Sequence, residues 1–141
     1  MVLLVIPLIF ILEQSTFMYC NGNDVVTTPG AIILSPNYPA NYEDFCNSQL
    51  TITFANKIFL RFESFDTEKS GDFCQLDWLE IRDGDTSEHN LIGSRICGSD
   101  TPNLITSTGN SLTLIFRSDD SVSHKGFKLK AELGTIWEEY L

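Results

Sequence analysis

The sequence predicts an all-β protein folded as a sandwich or a barrel. Short stretches with two-residue alternation recur roughly every 8–15 residues, and Gly, Pro, Asn and Asp separate them. Helix periodicity never extends beyond about two turns. The chain has 141 residues, 43% of them apolar, which is enough for one domain with a hydrophobic core.

Five strands stand out between the loops, in the order of the chain. They are residues 31–34 (AIIL), 50–54 (LTITF), 57–62 (KIFLRF), 111–117 (SLTLIFR) and 126–133 (GFKLKAEL). Ala55-Asn56 is predicted to be a hairpin turn, and Ile105 is expected in a further short strand. The inner faces of the sandwich are predicted to include Ile33, Leu50, Ile52, Phe54, Phe59, Leu114 and Phe116.

The segment between Cys74 and Cys97 organises the rest of the chain. It opens with a strand whose alternate residues face opposite ways, Leu76, Trp78 and Glu80 against Asp77, Leu79 and Ile81. Asp83-Gly84 then predicts a turn, and a second apolar run at residues 91–93 returns to Cys97.

Two connecting segments have distinctive compositions. Residues 35–42 (SPNYPANY) hold two prolines that restrict the backbone, which predicts a rigid irregular segment presenting Tyr38 and Tyr42. Residues 63–73 are predicted to be an acidic loop that carries Asp66, Glu68 and Asp72.

Cysteine usage and the N-terminus predict a secreted protein. Residues 2–12 form an apolar run that is too short to span a bilayer of roughly 30 Å but suits a secretory signal. We therefore predict a signal peptide at residues 1–19, a domain at residues 20–133 and a short acidic tail at residues 134–141, whose Trp137 and Tyr140 are candidate contacts. Four cysteines in a secreted domain indicate disulfides; they allow three pairings, of which the sequential one closes the two shortest loops.

Charge and motifs narrow the function classes. Nine Lys and Arg against nineteen Asp and Glu give a net charge of −10, which disfavours nucleic acid and anionic membrane surfaces and favours cationic partners. The chain has no G-x-S-x-G, H-E-x-x-H or phosphate-binding glycine loop, so we predict that it is not an enzyme. His89 and His124 are expected to be surface residues.

Taken together, the local motifs resemble those of the CUB domain family over residues 20–133. The matching motifs, in order, are Gly30 with Ser35-Pro36-Asn37-Tyr38-Pro39 and Tyr42; Phe62-x-x-Phe65-Asp66-x-Glu68; Cys74-x-x-Asp77-x-Leu79-Glu80-Ile81-Arg82-Asp83-Gly84; Ile92-Gly93 with Cys97-Gly98; and Leu112-x-Leu114-x-Phe116-x-Ser118-Asp119-x-Ser121 with Gly126-Phe127. The resemblance implies a jelly-roll β-sandwich with the disulfides Cys20–Cys46 and Cys74–Cys97.

The resemblance also implies a calcium site. Many CUB domains bind Ca²⁺ with one Glu and two Asp, and these positions match Glu68, Asp77 and Asp119. Tyr42 is expected to orient Glu68 through a hydrogen bond, and Ser121 to add a backbone carbonyl. Ca²⁺ takes six to eight oxygen ligands, which fits this set of acids. Asp66 and Asp120 are expected to be surface acids, although Asp66 could also pin its loop by accepting backbone N–H groups.

The function implied by the resemblance is calcium-dependent protein interaction outside the cell. In this hypothesis the calcium-ordered acidic edge receives a Lys or Arg of a partner protein, with Tyr42, Glu68, Asp119 and Ser121 as contacts. Two alternatives stay open: a carbohydrate-binding single CUB protein similar to the spermadhesins, with a neutral glycan as target, and a targeting fragment of a larger secreted protease.

Overall fold

The computed structural model describes residues 14–134, which form nine β-strands in two sheets. The strands are β1 (Ser15–Phe17), β2 (Asn23–Val26), β3 (Ala31–Leu34), β4 (Asn47–Thr53), β5 (Ile58–Asp66), β6 (Trp78–Arg82), β7 (Ile105–Thr106), β8 (Ser111–Arg117) and β9 (Gly126–Leu133). No helix occurs in residues 14–134, so this part of the chain offers none able to cross a membrane. The predicted tail contacts Trp137 and Tyr140, like the apolar run at residues 2–12, lie outside the described residues.

The two sheets pack face to face as a sandwich. One has the strand order β1-β3-β9-β5-β7 and the other β2-β4-β8-β6. The β1–β3 and β2–β4 pairs are parallel, and the other neighbours are antiparallel. The all-β sandwich predicted from the sequence is confirmed.

Inward-facing residues of both sheets form one core. The largest side chains that are almost fully buried include Tyr42, Phe116, Phe127, Met18, Ile33, Leu50, Ile52 and Leu79. Phe127 stacks with Phe65 at a centroid distance of 6.0 Å and meets Phe116 edge-on at 5.5 Å. Burial of such side chains stabilises the fold by about 1.5–3 kcal/mol for each of them.

The predicted hairpin at Ala55-Asn56 is wrong. β4 pairs with β2 and β8, whereas β5 pairs with β7 and β9 in the opposite sheet. The connection therefore crosses from one sheet to the other. Each strand buries its apolar face against the opposite sheet, and two-residue alternation cannot show which strand lies beside which.

The predicted inward position of Phe59 is also wrong. Ile58 and Leu60 are fully buried, and Phe59 lies on the other face of β5, opposite Glu132 of β9. The sequence is apolar at all three positions, so only the register with β9, which places Leu60 opposite Ala131, selects the inner face. The other predicted core residues are buried.

A break in register reverses the inner face of β5 near its end. The pairing with β9 shifts between Phe62 and Ser64, as at a β-bulge. Before the shift Ile58 and Leu60 are buried, and after it Phe65 is buried. The strand continues to Asp66, so the predicted acidic loop begins at Thr67, four residues later than expected.

Both sequential disulfides are present, and all four cysteines lie within the described residues. Cys20 bonds Cys46 and Cys74 bonds Cys97, with Cα separations of 4.8 and 5.6 Å. The first bridge joins the segment before β2 to the start of β4, and the second closes the segment that contains β6.

The N-terminal strand β1 lies within the residues predicted to be a signal peptide, and it packs on β3 of the domain. β1 lies parallel to β3, the Met18 amide donates to the Leu34 carbonyl at 2.8 Å, and the Met18 side chain is fully buried. The boundary at residue 19 stays a prediction. The strands β1 and β2 were not anticipated, since β1 lies within the predicted signal peptide and β2 is a short segment without a clear alternating pattern.

A chain beginning at Cys20 is expected to be about 2 kcal/mol less stable than one beginning at Gln14, because it lacks Met18 and the β1–β3 pairing. Urea unfolding of both chains measures the difference. The variant Met18→Ala in the longer chain should account for most of it. Equal stability of the two chains would show that the segment before Cys20 is dispensable.

Candidate functional site

Three acidic residues meet at one end of the sandwich. Glu68 follows β5, Asp77 precedes β6 and Asp119 follows β8. β6 and β8 are antiparallel neighbours with Trp78 opposite Arg117, which brings the start of one strand beside the end of the other. One carboxylate oxygen from each of the three acids lies within 4.8 Å of the other two.

Asp77 is the buried centre of this cluster. Its side chain is fully buried, its Oδ2 accepts a hydrogen bond from the Tyr42 hydroxyl at 2.6 Å, and its Oδ1 accepts the Asp119 amide at 2.8 Å. Burial raises the pKa of the Asp77 carboxyl, although these two hydrogen bonds oppose the rise. The carboxylate is held in one orientation by groups from two different loops.

Tyr42 supports the cluster from below. It is 2% exposed, and its ring packs edge-on against Phe116 at 4.9 Å. Its hydroxyl donates to Asp77 and accepts the Glu68 backbone amide at 3.1 Å. Burial and the bond to Asp77 raise the pKa of Tyr42 far above its ordinary value, so the hydroxyl keeps its proton.

Two sequence-based predictions about Tyr42 need correction. Its hydroxyl orients the carboxylate of Asp77, whereas Glu68 contributes only its backbone amide. A buried tyrosine whose hydroxyl already makes two hydrogen bonds does not reach a partner protein. Tyr42 is therefore a positioning residue.

Tyr38 was also expected on the surface. It is half-buried and shares a hydrogen bond of 2.8 Å with Ser64.

Glu68 carries the least satisfied carboxylate. Its Oε2 is buried, and it has no hydrogen-bond partner within residues 14–134. Burial raises the pKa of Glu68, as do the nearby charges of Asp119 and Asp77. An acceptor without a donor, beside two further carboxylates, is an arrangement that a cation would stabilise.

Asp119 and Ser121 form the exposed rim of the cluster. Asp119 accepts the Ser121 amide through Oδ1 at 3.4 Å, and the Ser121 hydroxyl donates to Asp120 at 3.3 Å. Asp120 is exposed, in agreement with its interpretation as a surface acid. The role of the Ser121 carbonyl as a ligand stays a prediction.

Asp66 and the two histidines lie at the surface, Asp66 and His124 in a groove with Glu68 and His89 in the loop that follows β6. Asp66 contacts His124, with 3.1 Å between Oδ1 and Nδ1, and His89 contacts Asp85 at 3.0 Å. Both histidine side chains are more than a third exposed, as expected from the sequence. Asp66 therefore lies beside the cluster and bonds a neighbouring loop through His124.

The three carboxylates fit a hard divalent cation such as Ca²⁺. Oxygen ligands suit Ca²⁺ and Mg²⁺, whereas thiolates and imidazoles suit zinc and copper. The orphaned Glu68 Oε2 and the negative charges that raise the pKa of that carboxyl are the observations that support the fit. Glu68, Asp77 and Asp119 are the residues that would hold the cation.

The sequence did not reveal the backbone groups that build the site. The amides of Glu68 and Asp119 fix Tyr42 and Asp77, and the Phe45 amide donates to the Asp119 carbonyl at 2.8 Å. Every non-proline residue carries an amide, so residue types give no signal for these contacts.

The fold and the acidic cluster define a member of the CUB domain family. The family model of the CUB domain matches residues 20–130, and the chain therefore belongs to this family. CUB domains are protein-interaction modules without catalytic activity of their own.

Relatives share this domain within longer proteins. The human tumor necrosis factor-inducible gene 6 protein is 40% identical over 113 residues, which are 79% of this chain and 39% of the relative. Bone morphogenetic protein 1 from Xenopus laevis is 39% identical over 118 residues, which are 82% of this chain and 16% of the relative. The chain thus spans well under half the length of these relatives.

Solved structures show the same fold. The CUB2 domain of MASP-1 bound to Ca²⁺ superposes with a TM-score of 0.69 at 28% identity, covering 77% of this chain and 96% of that one. The extracellular region of zebrafish Gpr126 gives a TM-score of 0.67 at 25% identity, covering 78% of this chain and 14% of that one. The CUB-type sandwich expected from the motifs is confirmed.

Proposed function

We propose that this chain is a secreted CUB module that binds Ca²⁺ through Glu68, Asp77 and Asp119 and then binds a Lys or Arg side chain of an extracellular partner. The proposal rests on the three acids, which each place one carboxylate oxygen within 4.8 Å of the other two, and on the buried Glu68 Oε2, which has no hydrogen-bond partner among residues 14–134. The similarity to a CUB domain solved with Ca²⁺ supports it.

The cation would neutralise the three carboxylates and hold their loops together. The chain itself prepares the site: Tyr42 and the Asp119 amide fix Asp77, and the Tyr42 hydroxyl also ties the Glu68 backbone to the same point. Asp77 is fully buried, whereas Glu68 and Asp119 are partly exposed. The partly exposed acids can serve both the cation and a partner.

Recognition of the partner follows from charge and hydrogen bonding. Lone pairs of Glu68 and Asp119 that are not used by the cation accept charge-assisted hydrogen bonds from an ammonium or a guanidinium group. The exposed Ser121 hydroxyl can add a further contact. A net charge of −10 attracts basic partners to this edge at moderate ionic strength.

Calcium is expected to raise the thermal midpoint of the domain in a saturable manner that EDTA reverses. A ligand that binds only the folded state stabilises it by about 2.7 kcal/mol at a hundredfold excess over its dissociation constant. Asp119→Ala should abolish this stabilisation and also the calcium-dependent binding of the peptide Ac-Ser-Ser-Lys-Ser-Ser-amide, followed by NMR.

The matched control is Asp72→Ala, which removes an exposed acid of the same charge outside the cluster. It should retain the full response to calcium. A melting curve of the unmodified domain that is identical in calcium and in EDTA would overturn the metal site. Unchanged peptide binding by Asp119→Ala would overturn the proposed contact with a basic side chain.

A further inference from the structure

Two large apolar side chains next to the acidic cluster are exposed to solvent. Phe45 is 73% exposed and Val122 is 57% exposed. Both residues have left-handed backbones, with φ angles of 54° and 61°. This conformation is uncommon for any residue except glycine, and for a β-branched residue such as valine it is a marked outlier.

The loop of Phe45 is bound to the loop of Asp119. The Phe45 amide donates to the Asp119 carbonyl at 2.8 Å, and the Cys46 amide donates to the Ser118 hydroxyl at 2.9 Å. That hydroxyl in turn donates to the Glu43 carbonyl at 2.6 Å. Phe45 is therefore held directly beside the acidic cluster.

Val122 lines the same groove as Glu68, which is the other partly exposed acid of the cluster. This groove has a volume of about 430 Å³, and its walls include Glu68, Asp66, Asp100 and His124 as well as Val122. The groove has three acids against one lysine, Lys69, so its net charge is negative, and Val122 is an exposed apolar side chain on its rim. Val122 is only three residues from Asp119 in the sequence. Each exposed apolar residue is thus linked to one acid of the cluster: Phe45 to Asp119 by a backbone hydrogen bond, and Val122 to Glu68 through the shared groove.

We propose that Phe45 and Val122 form an apolar rim that selects partners in which the basic residue is flanked by apolar side chains. Backbone strain is found where surrounding structure enforces it, and such positions cluster at binding sites. Exposed apolar residues beside a polar anchor are typical of interaction surfaces. The acids of the groove determine the charge of the partner segment, which is basic.

This inference rests on the proposed function, since the acidic edge must bind the basic residue that the rim flanks. The probes are Ac-Ser-Leu-Lys-Leu-Ser-amide and Ac-Ser-Ser-Lys-Ser-Ser-amide, titrated into the ¹⁵N-labelled domain in saturating calcium. The leucine-flanked peptide is expected to bind about tenfold more tightly, because its leucine side chains are removed from water when they pack against Phe45 and Val122. Its largest additional shifts should fall on the amides of Phe45 and Val122.

The variants Phe45→Asn and Val122→Asn separate a binding role from a structural one. Asparagine adopts the left-handed conformation readily, so the thermal midpoint should be unchanged or raised in both variants. Each variant should remove most of the preference for the leucine-flanked peptide. The matched control is Leu104→Asn, which removes an exposed apolar side chain from the segment before β7 and should leave the preference intact.

The outcomes distinguish this inference from the proposed function. Equal binding of the two lysine peptides in calcium, or an unchanged preference in both variants, would overturn the rim and leave the acidic edge standing. Binding that does not depend on calcium, or that persists when norleucine replaces lysine, would overturn the proposed function. If neither peptide binds in calcium, both proposals fail.

Discussion

Replacing Glu68 by Gln is expected to weaken calcium binding by about 100-fold or more, which corresponds to about 2.7 kcal/mol. The substitution keeps the shape of the side chain and removes one of three carboxylates whose oxygens lie within 4.8 Å of one another. Isothermal titration calorimetry of the purified domain measures the loss.

Without a cation, Glu68→Gln should not destabilise the folded domain. Burial and the charges of Asp119 and Asp77 raise the pKa of Glu68, which means that the folded chain disfavours the charge on this carboxyl. A neutral amide removes that repulsion, so Glu68→Gln in EDTA should be as stable as the unmodified domain or more stable. In saturating calcium the unmodified domain should be the more stable of the two proteins, because only it binds the cation tightly.

Asp120→Asn is the matched control for this reversal. It removes one negative charge from a neighbouring exposed residue outside the cluster, and it should leave calcium affinity nearly unchanged because exposed charges are screened. If Glu68→Gln bound calcium as tightly as the unmodified domain, Glu68 would not be a ligand. If it lost stability in EDTA, its carboxylate would have a structural role instead.

The second large effect is expected at Glu80, in the middle of β6. Glu80 is 5% exposed, yet its carboxylate accepts hydrogen bonds from Arg82 at 2.8 Å and from Arg95 at 3.0 Å. Arg95 also lies over the Trp78 ring, 4.0 Å from its centroid. The carboxylate thereby ties β6 to the segment that returns to Cys97.

Glu80→Gln is expected to cost about 2 kcal/mol of unfolding free energy at pH 7, because the buried Glu80 side chain loses its charge-assisted hydrogen bonds with two partly exposed arginines. Burial by itself would raise the pKa of Glu80, but Arg82 and Arg95 outweigh it and hold the pKa below its ordinary value of 4.5. The stabilisation is therefore fully present above about pH 4.5 and is lost as the pH decreases through the lowered pKa.

Urea unfolding at pH 7 and at pH 3 tests both parts of this expectation. The unmodified domain should have a clearly higher free energy of unfolding than Glu80→Gln at pH 7, and this difference should be smaller at pH 3. Glu132→Gln is the matched control, because Glu132 forms a more exposed ion pair with Arg61 at 2.8 Å and should cost about 0.5 kcal/mol or less. An effect of Glu80→Gln that is the same at both pH values would show that packing, and not charge, makes Glu80 important.

The sequence alone predicted the strands whose residues alternate over seven or eight positions. The strands β8 and β9 have the predicted bounds, and the sequential disulfides agree with the motif spacing. It also predicted which acids meet, although residue types alone would not have done so. Only the match of ordered motifs separated Glu68, Asp77 and Asp119 from the other acidic residues of the chain.

The sequence by itself determined the class of fold, because two-residue alternation is a local property. The disulfide pairing and the three acids that meet were predicted only through the resemblance to the CUB family. Tertiary structure decided the crossing from β4 to β5, the outward position of Phe59, the bond from Tyr42 to Asp77 and the left-handed backbones of Phe45 and Val122. Each of these depends on which strands become neighbours and on backbone hydrogen bonds between distant loops, and neither local alternation nor residue type specifies such contacts.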